Sequence, residues 1–233
     1  MTSYVLVALL SGLAWVCFYL LNRTKVHRAR PAPPLCGNTL FVSNHQSTVD
    51  TLLVALATCH PRCWFEPRLL PWSLAAAEVY FRTPVTAWFS DQLRCLPVRR
   101  DRRDPLALRH ILRVLPQGTA IYFPEGHRSR TGALGEATPG AGWIALRTGA
   151  RVIPVAIDGM NEVVRFERFG LRFFRRIGVS VGPALDLSAY RDRGPSLAAA
   201  REVTDLMMAG IERELVIARG LRGDQAWREG NAS

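Results

Sequence analysis

Lysine is nearly missing from this 233-residue chain. Of 30 Lys and Arg residues only Lys25 is lysine. A Walker-type phosphate loop needs a lysine beside its glycines, so that class of nucleotide site is excluded. Cysteine is sparse and odd in number: the five (Cys17, Cys36, Cys59, Cys63, Cys95) have no paired spacing. This argues against a secreted disulfide scaffold and fits a reducing compartment. Histidine stops at His127. The one G-x-S-x-G match, Gly178 to Gly182, therefore lacks the downstream His that an α/β-hydrolase triad requires, and Pro183 follows it where a helix should begin. No internal repeat interrupts the reading. Charged residues make up 21% against 48% hydrophobic, enough apolar side chain for a buried core in one domain with an appendage.

Charge is also absent from Tyr4 to Leu21, eighteen residues broken only by Ser11 and Gly12. A helix of that length spans roughly 27 Å, near the bilayer hydrocarbon thickness of about 30 Å. No charged side chain precedes the run, and Arg23, Lys25, Arg28 and Arg30 follow it. That is the flank of an uncleaved anchor whose C-terminal side stays with the cytoplasm. Residues 1–30 are thus expected to be an N-terminal membrane anchor with a basic flank, its apolar helix either transmembrane or lying in the bilayer. Pro31-Ala32-Pro33-Pro34 reads as a stiff linker into a second unit, residues 31–233. The arginine bias is that of a GC-rich bacterial coding sequence, so the expected location is a bacterial inner membrane with the domain on its cytoplasmic side.

The net charge is +11, of which residues 22–113 hold +8 and residues 114–194 hold +4. Such an excess implies an anionic partner: membrane surface, phosphorylated substrate or nucleic acid. Beyond the linker, strand-like segments (39–43, 73–77, 96–98, 119–123, 151–157, 177–181) alternate with helix-like ones (48–58, 83–93, 105–115, 140–148). A long helix is expected from Leu197 to about Arg219, capped by Ser196, stopped by Gly220, with a core stripe of Leu197, Ala200, Val203, Met207, Ile211, Leu215 and Ala218. This alternation predicts an α/β fold with a largely parallel central sheet flanked by helices.

Three constellations carry chemistry. Asn44-His45-Gln46-Ser47-Thr48-Val49-Asp50 follows a strand. On one ideal helix His45 and Asp50 would point about 140° apart. In a strand–turn–helix joint, with Ser47 as cap and Asp50 at the third position, the turn can fold the imidazole onto the carboxylate. A carboxylate that fixes the His tautomer leaves the other ring nitrogen as a base. Phe123-Pro124-Glu125-Gly126-His127-Arg128-Ser129-Arg130 ends a strand, where ligands of open α/β sheets sit, and its arginine forks suit phosphate oxygens. Leu96-Pro97-Val98-Arg99-Arg100 is again a strand leading into basic residues. Cys59, His60 and Cys63 lack a second ligand pair, so no metal is expected. Residues 165–177 interleave five arginines with four phenylalanines, a mix that suits anionic headgroups or nucleic-acid bases.

Together these blocks resemble the glycerolipid acyltransferase family, specifically the PlsC-like lysophosphatidic acid acyltransferases. NHQSTVD is similar to its N-H-x-x-x-x-D block, LPVRR to the end of the block closing on a substrate-binding arginine, FPEGHRS to F-P-E-G-x-R-S, and VIPVAI to the later V-P-V block. The likeness covers roughly residues 35–185. It implies transfer of a fatty acyl group from acyl-CoA or acyl-carrier protein to the free hydroxyl of 1-acyl-glycerol-3-phosphate, giving phosphatidic acid, with no cofactor. His45 and Asp50 would be catalytic, and Arg100, Glu125, Gly126 and Arg128 would bind substrate. Arg94 stands where the family has a glycine, Ala137-Thr138 where it often has Phe-Lys, and His127 replaces a threonine, which loosens the claim to one acceptor. The alternatives are the same chemistry on another lyso-lipid or glycerol 3-phosphate, or a non-catalytic membrane-tethered basic adaptor. The expected partners are a membrane lipid acceptor, an acyl thioester and an anionic membrane surface, not nucleic acid.

Overall fold

Strands buried on both faces read as nearly continuous apolar runs, and the central ones here do, with Leu40–Val42 in one and Val152–Ile157 in another. In the computed structural model, which describes residues 2–30, 37–66, 69–99, 105–129, 131–164, 170–190 and 193–223, β2 (Thr39–Ser43) is buried at every position and β6 (Arg151–Asp158) at all but its first. With β1 (Lys25–Arg28), β3 (Trp72–Ala76), β4 (Cys95–Val98), β5 (Thr119–Tyr122) and β7 (Gly178–Val181) they form one seven-stranded sheet, ordered β1-β7-β6-β2-β5-β3-β4. Only β6 and β7 run antiparallel. The C-terminal ends of β2, β3, β4, β5 and β6 therefore share one edge. After β2 the chain moves outward to β3 and β4, returns as β5, and then crosses to β6 on the other side of β2. That reversal makes the edge beside β2 the switch point at which open α/β sheets take their ligands.

Helices cover both faces. On one, α1 (Thr2–Trp15), α2 (Asp50–Cys59) and α3 (Arg62–Phe65) enclose Phe41, Ile153, Val155 and Val179 with Leu53, Val54 and Phe18. On the other, α6 (Pro105–Val114), α7 (Gly140–Thr148) and α9 (Leu197–Arg222) pack Ile111, Ile144, Val203, Met207 and Ile211 against Leu40, Val42 and Val152. The short helices α4 (Ala77–Tyr80) and α5 (Pro84–Gln92) lie between β3 and β4, and α8 (Met160–Val163) follows β6. Contact along α9 is backbone to backbone: a Cβ at Gly178 would lie 1.9 Å from the Ala218 carbonyl oxygen, and one at Gly142 2.0 Å from that of Ala200.

Three expectations are corrected. The helix expected to stop at Gly220 runs on to Arg222 and ends at Gly223, whose φ of 88° suits a left-handed cap. Arg222 holds that last turn by reaching Asp158 and Glu162, each at 2.5 Å. Leu197, placed in the buried stripe, is exposed at the helix's first turn. The basic stretch after the apolar run is not only a flank: residues 25–28 form β1, pairing in parallel with β7 from Lys25 opposite Gly178 to Arg28 opposite Val181. One apolar residue among K-V-H-R leaves no period to read, and an edge strand tolerates cations.

The apolar N-terminus differs most. Its α-helical part is fourteen residues, about 21 Å, and passes into a π-helical segment, Val16–Leu21. No helix among the described residues is long and apolar enough to cross a membrane. The end is tied into the protein: buried Asn22 donates to the Cys17 carbonyl at 2.9 Å, and the Thr24 hydroxyl to that of Phe18 at 2.6 Å. Val7, Ala14 and Phe18 pack onto the domain, while Val5, Leu9, Leu13 and Leu20 stay exposed. An apolar count cannot show that one face of a helix docks on its own domain. The proline linker and Cys36 lie outside the described residues.

Candidate active site

The turn after β2 is built around one carboxylate. Asp50 opens α2 and is wholly buried. Its Oδ2 accepts from the Gln46 N–H at 2.6 Å, the Ser47 N–H at 2.7 Å and His45 Nδ1 at 2.9 Å, and its Oδ1 accepts from the Ser47 hydroxyl at 2.5 Å. The two backbone amides can only donate, so Oδ2 is an acceptor and the His45 proton sits on Nδ1. In the neutral ring Nε2 then carries the lone pair, on a side chain 19% exposed. Sequence reasoning expected Ser47 to cap the helix. Instead Ser47 Oγ accepts from the Val49 N–H at 3.2 Å while donating to Asp50, so it braces the carboxylate.

Other strands hold this turn in place. The Asn44 side chain bonds both backbone groups of Ile157 at 2.8 Å, and Gln46 Oε1 accepts from the Met160 N–H at 3.1 Å, both tying the turn to the end of β6. From β5, Phe123 stacks on the His45 ring with centroids 4.2 Å apart and planes 16° apart. The Ser129 N–H donates to the His45 carbonyl at 2.7 Å. The Tyr80 hydroxyl donates to the Thr48 carbonyl at 3.0 Å. Asn44, Gln46, Phe123 and Tyr80 were assigned no role from sequence, because each acts across the sheet edge.

Glu125 is 2% exposed, and both its oxygens are occupied by backbone: Oε1 accepts from the His45 N–H at 3.0 Å and Oε2 from the Gly135 N–H at 2.7 Å. It clamps the His45 turn to the 131–139 loop. Gly126 takes φ 68° in an exposed turn, where a side chain would be strained. Arg128 is half-buried, one residue before the Ser129 amide that reaches His45. The structure thus brings His45, Asp50, Glu125, Gly126 and Arg128 to one edge of the sheet. Arg100 lies outside the described residues; β4, which leads to it, ends on the same edge.

The competing constellations have structural uses. Ser180 is fully buried in β7, donates to Glu214, and lies 3.1 Å from His27 Nδ1. Gly178 and Gly182 flank it because α9 leaves no room for a Cβ at either. Cys59 and Cys63 hydrogen-bond to each other, and Cys59 also donates to the Ala55 carbonyl at 2.8 Å. That pairing, with burial, holds the Cys59 thiol well above its usual range. Among the described residues no group of three or more His, Cys, Asp and Glu is placed to hold a metal ion.

Known proteins are similar to this chain in sequence and in fold. A 1-acyl-sn-glycerol-3-phosphate acyltransferase of Brassica napus chloroplasts (BAT2) is 26% identical over 155 residues, 65% of this chain and 42% of that one. Its Arabidopsis thaliana counterpart LPAT1 is 28% identical over 129 residues, 54% of this chain and 33% of that one. The 1-acyl-sn-glycerol-3-phosphate acyltransferase of Salmonella typhimurium is 24% identical over 182 residues, 77% and 70%. The chain spans less than half the length of the two plant proteins. The crystal structure of the 1-acyl-sn-glycerophosphate acyltransferase PlsC from Thermotoga maritima superposes with a TM-score of 0.65 at 22% identity, over 90% of this chain and 78% of that one, and so shares the fold. The family model described as Acyltransferase matches residues 23–158, from the lead into β1 through the His45 turn and the Glu125 clamp to the end of β6. The chain belongs to the acyltransferase family.

Proposed function

We propose that this protein acylates the free hydroxyl of 1-acyl-glycerol-3-phosphate, forming phosphatidic acid, with acyl-CoA or acyl-carrier protein as donor. The observation that carries the reading is the His45–Asp50 pair: a buried, fourfold-bonded carboxylate that leaves one imidazole nitrogen of the neutral ring as an acceptor at the strand-end edge of the sheet. The relatives' names, all 1-acyl-sn-glycerol-3-phosphate acyltransferases, support the acceptor.

His45 Nε2 takes the proton of the acceptor hydroxyl as its oxygen attacks the thioester carbonyl. Asp50 stabilises the imidazolium so formed. The tetrahedral intermediate collapses by expelling a thiolate, whose parent pKa near about 8.5 calls for little acid assistance. Attack is direct, without a protein nucleophile, a metal or a prosthetic group. Arg128, and Arg100 beyond β4, receive the acceptor phosphate as planar forks. Glu125 serves by fixing the His45 backbone.

The reaction takes place at a bilayer surface, with α1 lying in its plane on the cytoplasmic side. Val5, Leu9, Leu13, Val16 and Leu20 follow one another at four- and three-residue steps along the exposed face, and Val5, Ala8, Leu9, Gly12 and Leu13 line a shallow apolar groove there. The test is acyl transfer by washed membranes, comparing the native chain with His45→Ala at equal expression and offering each donor separately. The native chain should yield phosphatidic acid and the variant should lose about a thousandfold. Turnover indifferent to His45 would remove the mechanism.

A further inference from the structure

The exposed apolar stripe of the N-terminal helix ends at Leu20, and there another part of the chain continues it. The Phe174 N–H donates to the Leu21 carbonyl at 2.8 Å, and the Arg175 N–H to buried Asn22 Oδ1 at 3.1 Å. Phe174 is 76% exposed and sits at φ 62°, a backbone region that aromatic residues rarely take. Leu171 and Phe173 beside it are exposed as well. An aromatic side chain held at that φ and turned outward adds nothing to the core, so its use lies outside the molecule.

Cations surround this apolar tip. Arg172, Arg175 and Arg176 alternate with its phenylalanines, and Arg23 and Lys25 follow the helix end; all five are exposed. Neither 170–176 nor 22–28 contains an acidic residue. The two carboxylates of the β6–α8 turn beside it, Asp158 and Glu162, are engaged by Arg222. Aromatic rings at the end of an in-plane helix, ringed by arginines, match a bilayer's headgroup layer: rings at the interface, guanidinium groups on phosphates.

We propose that the 170–176 segment, with Arg23, is a docking site for the anionic headgroup layer of a lipid bilayer. It rests on the reading of α1 as an in-plane helix and adds an electrostatic contact that selects membranes by charge. α1 partitions into any fluid bilayer through apolar burial, whereas the arginine-ringed tip responds only to negative lipid. Nucleic acid is the less favoured partner, because the tip is continuous with an apolar stripe that nucleic acid would leave exposed to water.

The test is co-sedimentation of the full chain with vesicles of phosphatidylcholine alone or with added phosphatidylglycerol, at low and raised salt. The variants are Arg23→Gln/Arg172→Gln/Arg175→Gln and, separately, Leu9→Ser/Leu13→Ser, each checked for an unchanged melting profile. Each cation near an anionic bilayer contributes about fivefold in partition. The triple variant should therefore lose about a hundredfold on anionic vesicles, lose nothing on neutral ones, and differ less from the native chain in salt. A native chain with no anionic preference, or a triple variant that keeps it, would overturn the proposal. So would a triple variant whose only loss is affinity for a single-stranded oligonucleotide. The Leu9/Leu13 variant should weaken binding to both vesicle types; if it changes neither, the in-plane helix reading fails while the arginine comparison still stands.

Discussion

Replacing Asp50 separates geometry from charge at this site, because Asn can keep every contact that Asp makes. An Asn carbonyl in the place of Oδ2 still accepts from the Gln46 and Ser47 N–H groups and from His45 Nδ1, and those amides orient it that way. The Ser47 hydroxyl, which now donates to Oδ1, can rotate to accept from the Asn NH₂. Asp50→Asn therefore preserves the turn and the imidazole tautomer and removes only the negative charge opposing the imidazolium. Two unit charges about 4 Å apart at an effective dielectric of about 20 attract by about 4 kcal/mol. If that attraction operates in the transition state, the rate falls about a thousandfold. Asp50→Ala strands two buried backbone donors at about 1–3 kcal/mol each, so it should also unfold earlier. Acyl-transfer rates on washed membranes and melting curves of the purified chains read the two effects. Asp50→Asn should be nearly inactive and melt close to native; Asp50→Ala should be inactive and melt at least roughly 5 °C lower. An Asp50→Asn enzyme within about tenfold of native would show that Asp50 acts as a brace and not through its charge.

Glu125→Gln turns an NH₂ toward either the His45 or the Gly135 N–H. Losing one charge-assisted bond of about 1.5–3 kcal/mol should lower the melting point and slow turnover at saturating acceptor, with little change in KM; a rise in KM alone would return Glu125 to substrate binding. Gly178→Ala drives a methyl to 1.9 Å from the Ala218 carbonyl, displacing α9 and costing about 3 kcal/mol or more by thermal or urea unfolding. Ser180→Ala leaves Glu214 short of a donor and should cost about 1–3 kcal/mol of stability without loss of activity per folded molecule, which a hydrolase serine would not allow. His60 has its pKa lowered, chiefly by burial and then by the Arg28 charge, so the fold holds its neutral form. Its contribution is present above the ordinary value of 6.5 and is lost as pH falls through the folded value. Trp15 stacks on His60 with centroids 6.2 Å apart, so acid should loosen α1 first, seen as a change in tryptophan fluorescence that His60→Gln abolishes.

What the sequence disclosed and what it hid divide by distance along the chain. The folding of His45 onto Asp50 was legible because both lie in one strand–turn–helix joint, with the carboxylate at the start of the helix that follows. The parallel sheet was legible because its central strands carry short apolar runs (Leu40–Val42, Ala120–Phe123, Val152–Ile157) that alternate with helix-like segments. Glu125 was readable only as part of a motif: its engagement of the His45 amide depends on β2 and β5 pairing so that Val42 stands opposite Tyr122, a register no local pattern announces. Asn44 and Gln46 are alike in this, since their partners Ile157 and Met160 lie more than a hundred residues on.

The N-terminus hid its packing for a different reason. Eighteen uncharged residues satisfy a length criterion for crossing a bilayer, but that criterion assumes lipid on every side. Here Val7, Ala14 and Phe18 are spent on the domain, and buried Asn22 closes the helix against carbonyls on one side and the 170–176 segment on the other. One apolar face, with Val5, Leu9, Leu13 and Leu20, then remains exposed, and the helix is tied to the sheet that β1 joins three residues after Asn22. For the proposed acylation that tether matters most: with α1 in the plane of a bilayer, it sets the distance and tilt between the headgroup layer and the His45 turn, so that an acceptor hydroxyl and the base meant for it approach along one path.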